Sequence, residues 1–243
     1  MKSNKKCSNP YIIEWPELIT GILEKRYKRF MADIILENGE LVTAHCANTG
    51  SMKECSTPKS LVFLSRADNP KRKLKFTWEL IQMPNSLVGV NTFIPNRFVK
   101  EAILNKQIPE LIAYDSVKSE VKTSEGSRLD LMLQKGGEET CYVEIKNCSL
   151  VKNGLASFPD AVTTRGQKHL DELVRLKKQG HRAIIFYLIQ RMDADRFSPA
   201  ASIDPEYAKK LKNAVNNGVE ILVYDTIIDL KGIKVGRRLP VEL

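Results

Sequence analysis

The stretch Ser127-Arg128-Leu129-Asp130-Leu131-Met132-Leu133-Gln134-Lys135-Gly136-Gly137-Glu138-Glu139-Thr140-Cys141-Tyr142-Val143-Glu144-Ile145-Lys146-Asn147 reads as one β-hairpin. Leu129, Leu131 and Leu133 alternate with Arg128, Asp130 and Met132, and Cys141, Val143 and Ile145 alternate with Tyr142, Glu144 and Lys146. A period of two over each run marks a half-buried strand. Gly136-Gly137 supplies the turn. With the turn centred near Gly137, Asp130 and Glu144 lie directly across from each other, on the face opposite the two apolar rows. Like charges so placed destabilise a sheet unless a cation lies between them. Oxygen ligands on one face suit Mg²⁺ or Mn²⁺. Lys146 is then placed to orient a water or to neutralise charge developing on a phosphate. Aspartate followed by Glu-x-Lys is the carboxylate pattern of divalent-metal phosphodiesterases. The competing reading is an exposed strand face whose acids are paired by Arg128 and Lys146.

Outside the hairpin, length and composition narrow the class. At 243 residues, 42% hydrophobic and 28% charged, the chain suits one large or two small globular domains. No apolar run approaches the roughly 20 residues of a membrane span, and the lysines at 2, 5 and 6 are followed by no apolar stretch, so a cytoplasmic protein with no membrane partner is expected. Five cysteines, Cys7, Cys46, Cys55, Cys141 and Cys148, include no C-x-x-C, which argues against a zinc ribbon or a disulfide framework.

The net charge of +9 is uneven: residues 1–100 hold 16 Lys/Arg against 9 Asp/Glu. The excess clusters at Lys25-Arg26, Lys28-Arg29 and Lys71-Arg72-Lys73, beside Tyr27, Phe30, Phe76 and Trp78. Basic clusters interleaved with aromatics suit a surface that tracks nucleic-acid phosphates; a merely solvated basic face is the alternative. Short strands are expected at Arg29–Leu36, Leu41–Cys46, Leu61–Ser65, Leu74–Met83 and Leu87–Val90, the composition of a small closed barrel such as an OB-fold. The loop Asn48-Thr49-Gly50-Ser51-Met52 is either an anion nest or a plain turn.

A connecting helix is expected over Asn96–Leu111. It is followed by strands Ser116–Lys122, Ser127–Leu133 and Cys141–Asn147, helix Ala161–Gln179, a fully apolar strand Arg182–Gln190, helix Asp204–Asn217 and strand Val219–Tyr224. The division expected is therefore an OB-like barrel over 1–90 and an α/β domain over 91–243. Helix–strand–strand–strand–helix–strand, with the acids on the second and third strands, resembles the core order of PD-(D/E)xK nucleases. That order makes Glu120 either a third acid near Asp130 and Glu144 or a surface strand residue. Arg165 and Lys168 share a face at the start of the long helix, where backbone N–H groups favour a phosphate. His169 reads as a packed or surface histidine rather than a ligand.

Longer blocks carry a family resemblance. Val143-Glu144-Ile145-Lys146-Asn147, then Phe158-Pro159-Asp160-Ala161-Val162-Thr163-Thr164-Arg165-Gly166-Gln167-Lys168-His169-Leu170, closely resemble the sugar fermentation stimulation protein A family. His45-Cys46-Ala47-Asn48-Thr49-Gly50, Ser127-Arg128-Leu129-Asp130, Gln190-Arg191 and Asp204-Pro205 extend the match. The resemblance implies an α/β (α+β) architecture, an N-terminal OB-like barrel joined to a C-terminal PD-(D/E)xK nuclease-like domain. It implies non-specific DNA binding, with RNA an open alternative, and a regulatory role in sugar, notably maltose, utilisation. The family's nuclease-like acids and lysine fall on Asp130, Glu144 and Lys146, with Mg or Mn as candidate cofactor. Ser51 stands where Arg is also familiar in that family. Homo-oligomerisation stays open. A sugar-metabolic enzyme finds no support, since there is neither a phosphate-cradling glycine loop nor a convincing nucleophile–base pair.

Overall fold

In the computed structural model, residues 12–136 and 139–243 are described; Cys7 and the second turn glycine, Gly137, lie outside them. The strands run β1 (Ile13–Glu14), β2 (Leu18–Tyr27), β3 (Met31–Leu36), β4 (Leu41–His45), β5 (Leu61–Arg66), β6 (Phe76–Met83) and β7 (Ser86–Gly89). Helix α1 (Ile94–Leu104) and a 3₁₀ turn (Pro109–Leu111) lead to β8 (Ser116–Ser124), β9 (Ser127–Lys135), β10 (Glu139–Cys148), β11 (Leu150–Lys152) and β12 (Leu155–Phe158). Then follow α2 (Thr164–Lys178), β13 (Arg182–Ile189), β14 (Arg196–Pro199), α3 (Pro205–Asn216), β15 (Glu220–Ile228) and β16 (Gly232–Arg238). No helix among the described residues is long and apolar enough to cross a membrane.

The first body is an OB barrel. Strands β4-β3-β2-β5-β6 are hydrogen-bonded in that order, and a parallel β4–β6 pairing, Ala44↔Phe76 and His45↔Thr77, closes the sheet on itself. Closure removes the open edges that a small sheet would otherwise expose. Leu23, Ala32, Ile34, Val62, Leu64 and Trp78 alternate inward and fill it. At Gly21 a side chain has no room: a Cβ would lie 2.5 Å from Ile34 Cγ2 and 2.9 Å from the Ile35 carbonyl.

Strand β2 was absent from the sequence expectation because its alternation is masked by Gly21, by a bulge between Leu23 and Lys25, and by exposed charges. Strand β3 begins at Met31 rather than Arg29, since Lys28 and Arg29 take positive φ in the turn before it. The barrel also does not start at the chain's beginning. Ile13 and Glu14 pair with Ile233 and Gly232 in the second sheet, outside the barrel that the 1–90 division assigned them to.

The second body is a seven-stranded sheet ordered β1-β16-β15-β13-β10-β9-β8. Strand β13 at its centre divides its side chains between two cores by simple alternation. Ile184, Phe186 and Leu188 face α1 and the outside of the barrel, where Phe63, Leu80 and Leu87 join them. Ala183, Ile185, Tyr187 and Ile189 face α2 and α3. Both faces are covered, which is why β13 is a continuous apolar run.

Two helix boundaries differ from the periodicity. Helix α1 ends at Leu104, and the chain reaches Leu111 through the separate turn begun by Pro109. Helix α2 begins at Thr164, capped by the Thr163 hydroxyl accepting from Gly166 N–H at 3.1 Å, so Val162 is left outside it and 67% exposed. Asp204 caps α3 as its position before Pro205 predicts, accepting from Tyr207 N–H.

The two bodies are fastened to each other by polar contacts. Asp160 accepts from Met52 N–H at 3.1 Å and Ser51 Oγ at 3.3 Å, Gly89 N–H donates to the Gln190 carbonyl at 2.8 Å, and Met192 N–H donates to Ser86 Oγ at 2.9 Å. A Cβ on Gly50 would sit 2.5 and 2.7 Å from the Asp160 carboxylate oxygens. Gly50→Ala is therefore expected to displace Asp160 and destabilise the junction by about 1–2 kcal/mol, seen as a lowered melting temperature. An unchanged one would mean that Asp160 is not held where its contacts place it.

Candidate active site

The site grows from the β9–β10 ladder. Strand pairing Cys141↔Leu133 and Val143↔Leu131 ends one step before Glu144 and Asp130, which the same register would set opposite each other. The ladder itself stops there because Asp130 takes over: its Oδ2 accepts from Ile145 N–H at 2.7 Å, and its Oδ1 accepts from Asn96 Nδ2 of α1 at 2.7 Å. Leu131, Leu133, Cys141, Val143 and Ile145 share one core as the alternation predicts, but Leu129 joins the other, on the α2 side.

The polar face is not solvated. Glu144 is 2% exposed beneath α2. Lys146, two residues on and so on the same face, donates from Nζ to Glu144 Oε1 at 2.6 Å. His169 of α2 places Nδ1 against the same Oε1, and its Nδ1 lies 3.4 Å from Lys146 Nζ. Glu144 Oε2 is buried with no hydrogen-bond partner. Burial alone raises the Glu144 carboxyl, but the Lys146 charge and the His169 contact outweigh it and hold it below the usual range. Asp130 moves the other way, pushed up to about 6 by burial first and the Glu144 charge second, against the Ile145 N–H that favours its ionised form.

Two opposed carboxylates, one destabilised and the other with an orphaned buried oxygen, are what a divalent cation would relieve. Among the described residues no three His, Cys, Asp or Glu side chains cluster as a complete metal cage. Mg²⁺ does not need one, because it keeps several waters and is commonly held by one or two carboxylates plus a phosphate. The residues present therefore fit such an ion. The third acid expected at this site is not brought to it: Glu120, at positive φ, has a side chain 58% exposed that reaches Arg128 at 3.8 Å.

Beside the acids lies a cleft of about 480 Å³ between the two bodies. Lys146 lines it together with Asn48, Thr49 and Gly50 of the barrel, and Arg29 and Arg165 stand on its walls. A second hollow, about 280 Å³, is lined by Arg128, Arg165, Lys168 and His169, so Arg165 borders both. The other basic residues divide. Lys28, Lys71 and Lys73 are exposed, Lys25 lies 3.6 Å from Asp33, and Arg72 donates to Thr77 Oγ1 at 2.9 Å. Arg26 has a different task from the one its cluster suggests: its guanidinium donates to the carbonyls of Arg29, Asn48, Gly50 and Ser51, at 2.7 to 3.3 Å. It shapes the cleft wall instead of facing a ligand.

Asn96 is the member that the sequence does not indicate; His169 is packed, as one of the two expected readings has it, and the group it packs on is Glu144. For His169 a signal existed, since it stands four residues after Arg165 and so on the same helical face; Arg165 Nε lies 3.4 Å from His169 Nε2. For Asn96 there was none.

Comparison with known proteins shows the family and the fold. The family described as "Sugar fermentation stimulation protein RE domain" matches residues 93–232, and "SfsA N-terminal OB domain" matches 25–90. A sugar fermentation stimulation protein homolog of Geotalea uraniireducens is 50% identical over 226 residues, 93% of this chain and 97% of that one. Its counterpart in Pelobacter propionicus is 51% identical over 228 residues, 94% and 99%. A solved structure of Pyrococcus furiosus SfsA in complex with Ca²⁺ superimposes with a TM-score of 0.88 at 26% identity, covering 96% of this chain and 99% of that one.

The raised Asp130 carboxyl yields a stability prediction. Its folded value, near 6, exceeds the ordinary 3.8, so its ionisation penalises the folded state. The penalty is complete above about pH 6, shrinks as pH falls, and is gone below about pH 4. Without metal, Asp130→Asn should raise the melting temperature at pH 7.5 by about 6–12 °C and lose that advantage at pH 4. A variant less stable than wild type at pH 7.5 would show that Asp130 is not destabilised by its neighbours.

Proposed function

The chain belongs to the sugar fermentation stimulation protein family, and on that premise we propose that it binds DNA without sequence preference and hydrolyses phosphodiester bonds at Asp130, Glu144 and Lys146. The observation that carries this reading is the unpartnered buried oxygen of Glu144 together with the Asp130 carboxyl that the Glu144 charge helps to raise, beside a cleft lined by Lys146, Arg29 and Arg165. Asp130 and Glu144 would hold Mg²⁺ or Mn²⁺, which when bound polarises a phosphate and lowers the pKa of a bound water. The archaeal relative named as a Ca²⁺ complex supports an oxygen-lined cation site.

The chain's own groups do the rest. Lys146 Nζ, held on Glu144, is a fixed positive charge at the cleft wall, where it neutralises charge developing on phosphate. His169 packs on Glu144 and keeps that carboxylate from turning away. Asn96 does the same for Asp130. Arg29 and Arg165 take flanking phosphates, and exposed Lys28, Lys71, Lys73 and Lys168 add sequence-independent attraction. Regulation of sugar utilisation, notably of maltose, would rest on the same binding. One observation favours binding without turnover: the Lys146 ammonium already pairs with Glu144, and His169 contacts the same carboxylate oxygen.

Incubating the protein with labelled single- and double-stranded DNA and RNA, with Mg²⁺ or Mn²⁺, separates the two readings. Cleavage by wild type should fall by at least about 100-fold in Glu144→Ala and Lys146→Ala. Binding without cleavage, equal in all three proteins, would contradict hydrolysis and leave the binding reading. Replacing Lys71, Arg72 and Lys73 together by Ala should weaken duplex binding evenly across sequences. It should also flatten the salt dependence by up to about three units of slope; an unchanged slope would remove that cluster from the binding surface.

A further inference from the structure

Phe93 stands at the start of α1 with its ring 70% exposed. A single exposed aromatic is ordinary; this one is built into place. Its N–H donates to Asn91 Oδ1 at 2.9 Å, and buried Asn91 is in turn tied through Nδ2 to Glu79 Oε2 at 2.7 Å. Thr92 donates to the Ala47 carbonyl at 2.9 Å, locking the segment onto the barrel rim. One face of the Phe93 ring stacks on His45, with centroids 6.4 Å apart and planes 19° from parallel. Burial, and then the Arg72 charge, hold the His45 imidazole below its usual value, so it is a neutral ring at pH 7. Arg72 is fixed beside it through Thr77, the register partner of His45. His45 makes the aromatic contact to the ring, and most of the side chain is exposed.

The position is the second half of the argument. Phe93 follows Thr92, which lines the cleft with Lys146. Asn96, three residues later and about 5 Å along the helix, is bonded to Asp130. The exposed ring therefore stands in the chain between a cleft-lining residue and the partner of Asp130, and its stacked neighbour His45 has Arg72 beside it. Paired bases in a duplex are stacked on their neighbours and have no free face to offer, whereas an unpaired base does, and aromatic stacking is tolerant of its identity.

We infer that Phe93, backed by His45 and flanked by Arg72, is a stacking platform for an unpaired nucleobase, which makes single-stranded or locally opened nucleic acid the preferred ligand of the cleft. This rests on the nucleic-acid reading above and names its substrate class. Arg72 contacts the phosphate next to the stacked base, and the following phosphodiester runs toward Lys146.

The test is binding in EDTA of a short single-stranded oligonucleotide carrying 2-aminopurine, beside the same sequence as a blunt duplex. Wild type is expected to quench the single-strand fluorescence and to bind that strand more tightly than the duplex. Phe93→Ala should lose the quenching and about ten-fold in single-strand affinity, with duplex affinity unchanged, and Phe93→Trp should restore both. If Phe93→Ala binds and quenches the single strand like wild type, or loses duplex affinity in equal proportion, the platform is wrong while nucleic-acid binding stands. Wild type that binds neither oligonucleotide overturns both.

Discussion

Two carboxylates opposed across adjacent strands, Asp130 and Glu144, constrain the centre of this protein. Close together they repel, and burial deprives Glu144, under α2, and the half-buried Asp130, against Asn96 of α1, of water. Glu144 keeps its charge because Lys146 and His169 converge on one of its oxygens. Asp130 has hydrogen bonds from Ile145 and Asn96 and feels the Lys146 charge, yet burial and the Glu144 charge outweigh them and its carboxyl rises to about 6. The groups around them follow from this. Helix α2 must dock with His169 inward, α1 must start where Asn96 reaches Asp130, and β10 must end its pairing with β9 at Val143 so that Ile145 N–H is free to turn to a side chain.

The barrel is placed by the same logic of satisfied polar groups. Arg26 gathers carbonyls of the 48–51 loop, Asp160 holds the amide of Met52, and Gly50 lets the two surfaces close. The result is a cleft with a barrel loop on one wall and Lys146 on the other. A cation and a phosphate brought there would meet groups already positioned by the fold, which is the condition under which electrostatic stabilisation is most effective. The fixed charges do not have to be reorganised at the moment of reaction.

Much of this was legible in the chain. The hairpin register follows from the glycine turn and the alternation of leucines, and the observed pairs agree with it residue for residue. The apolar run of β13 and the cap Asp204-Pro205 carry their structures openly. Other features depend on contacts between distant segments. His169 lies 25 residues from Glu144, and only the docking of α2 makes it a partner. Arg26 looked like part of a phosphate-binding cluster because spacing alone does not show that four carbonyls converge on it. Glu120 occupied the expected strand, yet its backbone at positive φ turns the side chain to Arg128. Strand β2 escaped notice because a bulge and a glycine interrupt its period.

Calorimetric titration of the protein with Mn²⁺, alongside Glu144→Gln, tests the central claim most directly. If the opposed carboxylates form a cation site, wild type binds one Mn²⁺ per chain and, at about pH 5.5, below the raised Asp130 value near 6, releases protons as Asp130 ionises, and the variant binds none. Equal heats from both proteins, or no binding by either, would show that Lys146 and His169 complete the site by themselves and that the acids await no metal.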